Sequence, residues 1–449
     1  MLDPKSALDA LQSALDSAKR AGADAADAVF AMDETTSISA LNGEVEDITR
    51  SEDAELGLRV FTGVRTATVV IQDMTADAVT AAAERAVAMA RASTDDPYAR
   101  LARPDELAAP SDIDLDLDDG HDPDLAALEQ AALACEAAAL AVDGVSKSGG
   151  SGSQSGRALY ALATSNGFAG VRTGSRHAVY ASAIAIAGSG SGMERDYAQA
   201  YARHSEDLES AETIGRRAGD RTAARLGPGK LKSGTMPVLF DPRVSNTLLG
   251  HLLGAMSGPA IARGTSFLSD PEESLFPPQI SIVDDPHRRR GLRSRLFDGE
   301  GLPVGPRKLV AEGRLAGWLL NLASAEQLGL APNGYASRGA SGSPGISGSN
   351  IHLEPGALSR DDLIRETGNG VLVTELIGQG VNGVTGDYSR GASGFLIENG
   401  ELTSPVSEIT VAGNLKRMFA ALTAASDLEF RHSTNAPTLR IDGMTVAGG

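Results

Sequence analysis

Residues 375–415, ELIGQGVNGVTGDYSRGASGFLIENGELTSPVSEITVAGNL, carry the strand and turn signals that decide the fold of the second half of the chain. An apolar run at residues 395–397 precedes Asn399-Gly400, a dipeptide typical of the two-residue turn that joins antiparallel strands. Residues 401–408 then return as the partner strand. The stretch therefore predicts a β-hairpin within a β-rich domain.

A third strand and a glycine-rich loop flank this hairpin. The apolar residues 409–412 form the third predicted strand, which ends at Gly413-Asn414. Residues 378–394, before the hairpin, contain glycines, which adopt positive φ at little cost. Such a loop either turns sharply or lets another chain come close. After Gly378, the glycines are Gly380, Gly383, Gly386, Gly391 and Gly394.

The run VTGDYSRGASGFLIENGE at residues 384–401, followed by PVSEITVAGNL at 405–415, resembles the C-terminal signature of the TldD/PmbA family. The likeness is to the PmbA branch, also called TldE. It covers most of the chain and is strongest over residues 234–415. The resemblance implies a cytosolic member of a metallopeptidase family that works as pairs of related subunits. In such pairs TldD-like chains carry a zinc-peptidase motif and PmbA-like chains lack it.

Composition limits the classes of function open to the chain. Among 449 residues, 59 acidic side chains outnumber 40 basic ones, which gives a formal net charge of −19. Such a field repels phosphate backbones and anionic lipid surfaces, so nucleic-acid and membrane partners are disfavoured. The single cysteine, Cys135, rules out an intrachain disulfide framework and a cysteine-rich zinc site. We expect it to be a small buried side chain.

The N-terminal sequence and the hydropathy pattern predict a cytoplasmic location. The first residues, MLDPKSALDALQ, lack the basic and then apolar layout of a secretory signal. No apolar run approaches the roughly 20 residues that a membrane-spanning helix needs.

Turn and helix signals predict an α+β fold in four parts. Hairpin dipeptides such as Asn42-Gly43 separate strand-like runs, and alanine-rich amphipathic stretches predict helices over the sheet. Gly227-Pro228-Gly229 marks the strongest domain boundary. We predict an N-terminal α+β domain at 1–92, an acidic connector at 93–123, a central α+β region at 124–226, and a β-rich barrel-like or sandwich domain at 230–449.

Three polar segments lie outside these regular elements. The run DIDLDLDDGHD at 112–122 lacks the glutamate that ends a calcium-binding loop and predicts a solvated connector. The basic cluster HRRRGLRSR, residues 287–295, is either a solvated hairpin or a surface for an anionic partner. The run NGYASRGASGSPGISGSN at 333–350 contains no nucleophile elbow and predicts a long surface loop beside the stretch 375–415.

Residues 244–256 predict a helix whose apolar side chains lie on one half of its circumference. Gly250 and Gly254 fall on the opposite side, one turn apart. Each costs a helix interior about 1 kcal/mol relative to alanine, so the pair requires an explanation. Either another backbone, from a partner helix or a substrate strand, comes close at these glycines, or they allow dense packing within this chain.

The resemblance makes this helix the place where the two branches differ. In TldD-like chains the corresponding helix carries H-E-x-x-x-H, whose histidines hold zinc and whose glutamate is the general base. Laid on LLGHLLGAM, residues 248–256, the motif puts Gly250 and Ala255 at the histidine positions and His251 at the glutamate position. We therefore expect no metal ligand and no catalytic residue in this chain. His251 is either a structural histidine with satisfied hydrogen bonds or a contact to substrate or partner.

The resemblance implies a non-catalytic PmbA/TldE-type subunit that pairs with a TldD-like, zinc-containing metallopeptidase acting on unfolded or leader peptides. This chain would form part of the substrate channel and offer backbone hydrogen bonds at a strand edge. Channel or partner contacts are expected on the helix, at Gly250, His251, Gly254 and Ala255. Others are expected in the glycine-rich stretch at Gly386 and on a shared face formed by Asn382, Asp387, Ser389 and Arg390.

Two alternatives stay open. In the first, the chain is a metallopeptidase that hydrolyses peptides unaided, with a metal held by residues that the sequence does not bring together. Stoichiometric zinc and chelator-sensitive activity would then be found. In the second, the chain is a homo-oligomeric module that binds a peptide or a small ligand without cleaving it, and forms a homodimer when alone.

Overall fold

Antiparallel hairpins build the first sheet. The computed structural model describes residues 3–188 and 192–448. Asn42 and Gly43 have φ of 57° and 80°, the positive values that the predicted two-residue turn requires. The flanking strand-like runs are continuous, so this hairpin is longer than the sequence indicated. The first elements are α1 (Pro4–Arg20), β1 (Ala25–Leu41), β2 (Glu44–Thr62), β3 (Arg65–Ile71) and α2 (Ala76–Ala92).

One sheet continues from this region into the next. The following elements are α3 (Leu125–Leu140), β4 (Lys147–Thr164), β5 (Ala169–Ile186), β6 (Met193–Ala202) and α4 (Ala211–Ala224). β4 pairs with β1 from Asp27↔Thr164 to Ala40↔Ser151, so the strand order is β3-β2-β1-β4-β5-β6. β1 is therefore an inner strand whose two neighbours come from different regions of the chain.

Alanine-rich helices cover one face of this sheet. Phe30 of β1 packs with α1 and α2, whereas Val29, which points the other way, packs with Phe297 of the second half. Helices α3 and α4 lie in close contact. A Cβ added to Gly215 of α4 would be 2.0 Å from the carbonyl oxygen of Cys135 in α3. Cys135 is buried, as predicted. Within the described ranges, no helix has both the length and the apolar character needed to cross a membrane.

The second half combines short helices with many strands. Its elements are β7 (Gly234–Phe240), α5 (Pro242–Ala255), α6 (Gly258–Ala262), β8 (Ile282–Asp284), β9 (Arg307–Ala311), β10 (Arg314–Leu315), α7 (Leu322–Leu328), β11 (Ala336–Ser337), β12 (Gly345–Ile346), β13 (Ile351–Leu353), α8 (Arg360–Thr367), β14 (Gly370–Ile377), β15 (Asp387–Glu398), β16 (Glu401–Asn414), α9 (Leu415–Ala420), β17 (Leu422–Ala424), β18 (Thr434–Asn435) and β19 (Leu439–Ala447).

Five of these strands close into a barrel. Neighbours pair in the order β16-β15-β14-β7-β19, and β16 also pairs with β19 through Val411↔Val446, which completes the ring. The turn from β15 to β16 is Asn399-Gly400, and both residues have positive φ, as the sequence predicted. The α+β class is confirmed. Of the two predicted forms of the C-terminal domain, the barrel is the one observed.

Two details of the stretch 375–415 differ from the prediction. The second and third predicted strands are a single strand, β16, whose pairing with β15 is irregular between Val406 and Ile409. Gly391 and Gly394, which were expected in a loop, lie in β15. A Cβ on Gly394 would lie 1.8 Å from the carbonyl oxygen of Leu372 in β14. Glycine is needed there for close contact between strands and not for a turn.

The acidic connector and the basic cluster bind each other. Asp116 accepts a hydrogen bond from Arg290 Nε at 2.6 Å and forms an ion pair with Arg289 at 3.0 Å. Leu115, next to them, is buried. The predicted solvated connector is therefore only partly correct, because residues 112–114 and 120–122 are exposed but residues 115–119 pack against the rest of the chain. The basic cluster is not a solvated hairpin, because part of its charge is already paired within the chain.

A second contact ties the connector to the first sheet at Asp119. Its carboxylate lies 2.8 Å from Nε2 of His177 in β5. Burial by itself raises the pKa of Asp119, but hydrogen bonds from the backbone amides of His121 and Ser205 outweigh burial and lower the pKa to about 2. The carboxylate is thus ionised at neutral pH and fixes the connector to β5.

Residues 333–350 pack against the first sheet. Arg338 is buried and donates a hydrogen bond to Asp27 of β1 at 3.2 Å. A Cβ on Gly57 of β2 would lie 2.0 Å from the carbonyl oxygen of Ala340. The predicted surface loop is therefore wrong, because this segment supplies contacts between the two halves of the molecule.

Candidate functional site

α5 is held in a fixed orientation by its cap and its apolar side. The side chain of Asp241 accepts a hydrogen bond from the amide of Arg243, and Pro242 occupies the first turn, where its missing N–H costs nothing. Leu248 and Leu252 are fully buried in the core of the second half. The rest of the candidate site is built around the other side of this helix.

Gly250 and Gly254 form an open face of α5. Both are exposed, and a Cβ added at either would have no described atom within 4 Å outside its own helix. Dense packing within this chain is therefore the wrong explanation for the two glycines. Ala255 does not share this face, because its side chain is buried in the core.

His251 lies between the open face and the barrel. Its ring is half-buried and contacts the ring of Tyr388 edge to face, with centroids 6.0 Å apart and planes at 76°. Its buried Nε2 has no hydrogen-bond partner among the described residues. Burial, and then the charge of Arg390, lower the pKa of His251. The interpretation of His251 as a structural histidine with satisfied hydrogen bonds is therefore wrong, and the ring is neutral at pH 7.

Successive side chains at the start of β15 point to opposite faces, as strand geometry requires. Asp387 and Ser389 are exposed, whereas Tyr388 and Arg390 are buried. The predicted shared face is therefore wrong for Arg390, which lies with His251. Buried Tyr388 Oη and Arg390 Nε also lack a partner among the described residues. We call His251, Tyr388 and Arg390 the His251 cluster.

Tyr388 stays protonated in this cluster. Burial raises the pKa of its hydroxyl to about 12, although the nearby charge of Arg390 acts in the opposite direction. A neutral imidazole, a phenol and a guanidinium thus meet with hydrogen-bonding capacity to spare. Such a cluster can bind a carbonyl or carboxylate oxygen by hydrogen bonding.

The glycine-rich loop before β15 is held by its own hydrogen bonds. The amide of Asn382 donates to the carbonyl oxygen of Asp387 at 2.8 Å, and the amide of Gly386 donates to that of Asn382 at 2.8 Å. Gly386 needs its φ of 78° for this turn. Hydrogen bonds from Thr385 and Asn414 lower the pKa of Asp387. Asn382, Gly386 and Asp387 therefore shape the loop.

This loop and the start of β15 line an open groove. The amide of Ser389 donates to the carbonyl oxygen of Gly380 at 2.7 Å, which folds the loop back along the strand. Tyr388 also lines the groove, so the groove and α5 meet at the His251 cluster. The groove is lined by Gln379, Gly380, Val381, Asn382, Gly383, Asp387, Tyr388 and Ser389.

The residues at α5 do not fit a zinc ion. Gly250 has no side chain and Ala255 has only a methyl group, so neither can donate an electron pair. Arg390 places a positive charge beside the one imidazole, which disfavours a second cation. In the described ranges, no three histidine, cysteine or carboxylate side chains are grouped so that they could hold a metal ion. Structural and catalytic zinc sites need at least three protein ligands.

Tyr388 is the member of the cluster that sequence reasoning missed. It lies between Asp387 and Ser389, both of which were singled out, and period-2 alternation in a strand would have placed it on the opposite face. That signal was present, but the start of β15 was interpreted as a loop. The contact between Tyr388 and His251 depends on how β15 packs against α5, and a local sequence pattern does not predict such packing.

Three sequence models of one family match most of the chain. The "PmbA/TldA metallopeptidase domain 1" matches residues 26–90, and the "PmbA/TldA metallopeptidase central domain" matches residues 118–226. The "PmbA/TldA metallopeptidase C-terminal domain" matches residues 233–448. The last of these contains α5, the groove and the whole barrel.

Curated relatives are similar over nearly their whole length. Metalloprotease PmbA of Escherichia coli O157:H7 is 36% identical over 427 residues, which cover 94% of this chain and 92% of that protein. A metalloprotease PmbA homolog of Haemophilus influenzae is 34% identical over 445 residues, covering 98% and 95%.

Solved structures share the fold. A proposed modulator of DNA gyrase from Bacteroides thetaiotaomicron superposes with a TM-score of 0.92 at 26% identity, over 100% of both chains. TldE from Thermococcus kodakarensis superposes with a TM-score of 0.86 at 21% identity, over 98% of this chain and 100% of that one. At 21% identity, the similarity to TldE from Thermococcus kodakarensis shows a shared fold and nothing more.

Proposed function

Because the chain belongs to the PmbA/TldD metallopeptidase family, in its PmbA/TldE branch, we propose that it is a non-catalytic subunit of a cytoplasmic peptidase pair. Its partner is a TldD-like chain that carries zinc and the general base. The pair acts on unfolded or leader peptides. The observation that carries this proposal is the absence of donor atoms at Gly250 and Ala255, where a zinc peptidase of the family needs histidines.

The open face of α5 supports a role in contacting another chain. Two glycines in a helix interior weaken the helix, and the described part of this chain gives no steric reason for them. Close approach of a partner or a peptide backbone does give such a reason. The His251 cluster beside this face has free hydrogen-bonding capacity for peptide groups, which an extended substrate presents along its whole length.

The barrel itself cannot take up a peptide as an extra strand. In the described structure each of its five strands already has a neighbour on both sides. The strand edge expected from the sequence is therefore not available in the barrel. This subunit forms its part of the substrate channel from the open face of α5 and the groove at the start of β15.

Co-expression of this chain with a TldD-like zinc peptidase tests the proposal. We expect the two chains to purify together and to cleave an unstructured peptide in a chelator-sensitive manner. The isolated chain should contain no stoichiometric zinc by elemental analysis and show no cleavage. Replacing the motif glutamate of the partner by glutamine should abolish activity, whereas His251→Gln in this chain should reduce it without abolishing it.

A second candidate function is peptide hydrolysis by this chain alone, and the name metalloprotease carried by its relatives favours it. Stoichiometric zinc in the isolated chain, together with chelator-sensitive cleavage, would establish this alternative and refute the pairing proposal. A stable self-dimer in sedimentation, unchanged by the TldD-like chain, would instead favour a homo-oligomeric binding module.

A further inference from the structure

A cavity of about 330 Å³ lies between the first sheet and the second half of the molecule, away from the His251 cluster. β4 and β5 form one wall, and residues around 292–299 and 336–347 form the other. The described residues that line it include five arginines and no aspartate or glutamate, although acidic residues outnumber basic ones in the chain as a whole. The arginines are Arg172, Arg203, Arg293, Arg295 and Arg338.

Arg172 is the most exceptional of the five. It lies on β5 opposite Tyr160 of β4, and its guanidinium is 4.3 Å from the centre of the Tyr160 ring. It makes no hydrogen bond or ion pair with any other residue that the structure describes. Burial, and beyond it the charge of Arg295, lower the pKa of Arg172. Arg172 is half-buried and lines the cavity, so its unpaired N–H groups are available to an anion that enters there.

The neighbouring donors are also incompletely used. Among the described residues, Arg203 donates only to backbone carbonyls, including that of Ser175 at 3.0 Å. Burial, followed by the charge of Arg172, lowers the pKa of Arg203 to about 10. Nε of Arg295 and the hydroxyl of Tyr160 are buried without a partner among the described residues. Several cationic and neutral donors therefore line one cavity, and no described carboxylate lines it with them.

The remaining two arginines frame the cavity. Arg338 is fully buried and already paired with Asp27, so it adds positive potential but has fewer free donors. Arg293 is exposed and donates to Ser347 Oγ at 3.3 Å. The charge thus extends from the floor of the cavity to its rim, where an anion would enter.

We propose that this cavity binds a small molecule carrying an oxyanion group, either a phosphate or a carboxylate, with Arg172 as the principal anchor. The planar guanidinium can bind either group through two parallel hydrogen bonds. The volume is at the lower end of the range for small-molecule sites, so the ligand is larger than a single ion and smaller than a peptide segment.

The purified full chain can be titrated with inorganic phosphate and, separately, with citrate, at matched ionic strength in chloride. We expect a saturable heat of binding in calorimetry and a saturable rise in Tm for at least one of the two. A response to phosphate alone identifies a phosphorylated ligand, and a response to citrate alone identifies a carboxylate. No saturable response to either probe would refute the proposal.

Two variants and a matched control locate the site. Arg172→Met removes the principal anchor and should weaken anion binding about tenfold or more. Arg50→Met makes the same change at an exposed position of β2 and should leave binding unchanged. Tyr160→Phe keeps the ring beneath Arg172 and should weaken binding about threefold through loss of the hydroxyl.

These variants also separate specific binding from general salt stabilisation. Phosphate and citrate strengthen burial in most proteins, and that effect acts on every variant alike. If Arg172→Met and Arg50→Met respond to anions equally, the cavity is not the site and the proposal is wrong. If Arg172→Met does not fold, unchanged anion binding by Tyr160→Phe would by itself refute the assignment of this cavity.

Discussion

Glu300 shows how one buried side chain can impose a pH dependence on the whole fold. It is 6% exposed and accepts a hydrogen bond from the amide of Leu322 at 2.8 Å. Burial raises its pKa from 4.5 to about 7, with Arg59 opposing and Asp298 reinforcing the shift. Between those two values the folded state holds a proton that the unfolded state has lost. Stability therefore falls as the pH rises from about 4.5 to 7.

Glu300→Gln should remove this component of the pH dependence. The amide is neutral at all pH values, and its oxygen can still accept from Leu322. We expect the variant to be more stable than the parent at pH 8 by roughly 1–3 kcal/mol, and the difference to vanish near pH 4. Urea unfolding across that range measures it. Glu84→Gln, on the exposed side of α2, should follow the parent at every pH.

His251→Phe tests whether the His251 cluster serves function at the expense of stability. Phenylalanine preserves the contact with Tyr388 and removes the unpartnered nitrogen, so the isolated chain should gain up to about 1 kcal/mol. The lowered pKa of His251 also makes the parent lose stability as the pH falls below 6.5, and the variant should lack that loss. Peptidase activity of the pair should fall about tenfold; unchanged activity would show that His251 contacts no substrate or partner.

At the scale of elements, two helices with interior glycines should respond in opposite ways to the same substitution. Gly250→Ala and Gly254→Ala in α5 meet no steric obstacle and should each stabilise the isolated chain by about 1 kcal/mol. In α4, Gly215→Ala would push a methyl group to 2.0 Å from the Cys135 carbonyl oxygen and should destabilise by roughly 1–3 kcal/mol. Thermal unfolding distinguishes the two cases.

The same α5 variants should weaken association with the TldD-like partner or raise the KM for peptide. That loss, combined with greater stability of the isolated chain, would separate a contact role from a structural one. If both variants are more stable and fully active, the open face contacts neither partner nor substrate.

The sequence predicted local turns correctly, but it did not predict which distant residues come into contact. The turns at Asn42-Gly43 and Asn399-Gly400 were foreseen, because turn geometry depends on the residues of the turn itself. The pairing of Asp116 with Arg290 was missed because 174 positions separate the two residues. The sequence around each of them is typical of a charged side chain exposed to solvent. The same holds for the candidate site, where His251 was foreseen on its helix but the contact with Tyr388 was not.

At the scale of the whole molecule, Asp27 joins the two halves. Its carboxylate accepts from Arg59 Nε at 2.8 Å within the first sheet and from Arg338 at 3.2 Å in the second half. All three side chains are buried. Asp27→Asn would leave two buried cations without their counter-charge and should cost roughly 3–5 kcal/mol.

Differential scanning calorimetry of Asp27→Asn should show a lower Tm and, where the contact between the halves fails first, two separate transitions. Asp95→Asn breaks an ion pair with Arg65 in which the side chains are 61% and 44% exposed. It should change stability by less than about 1 kcal/mol. Equal effects of the two substitutions would mean that Asp27 does not hold the halves together.

The position of β1 between β2 and β4 has a consequence during synthesis on the ribosome. β2 follows β1 directly, but β4 is completed about 100 residues after β2, which takes roughly 5–20 s at an elongation rate of about 5–20 residues per second. Until then the nascent hairpin presents one long side of β1 with unpaired amides and carbonyls, a template for intermolecular aggregation. Chaperone engagement is therefore expected to be greatest between the synthesis of β2 and the synthesis of β4.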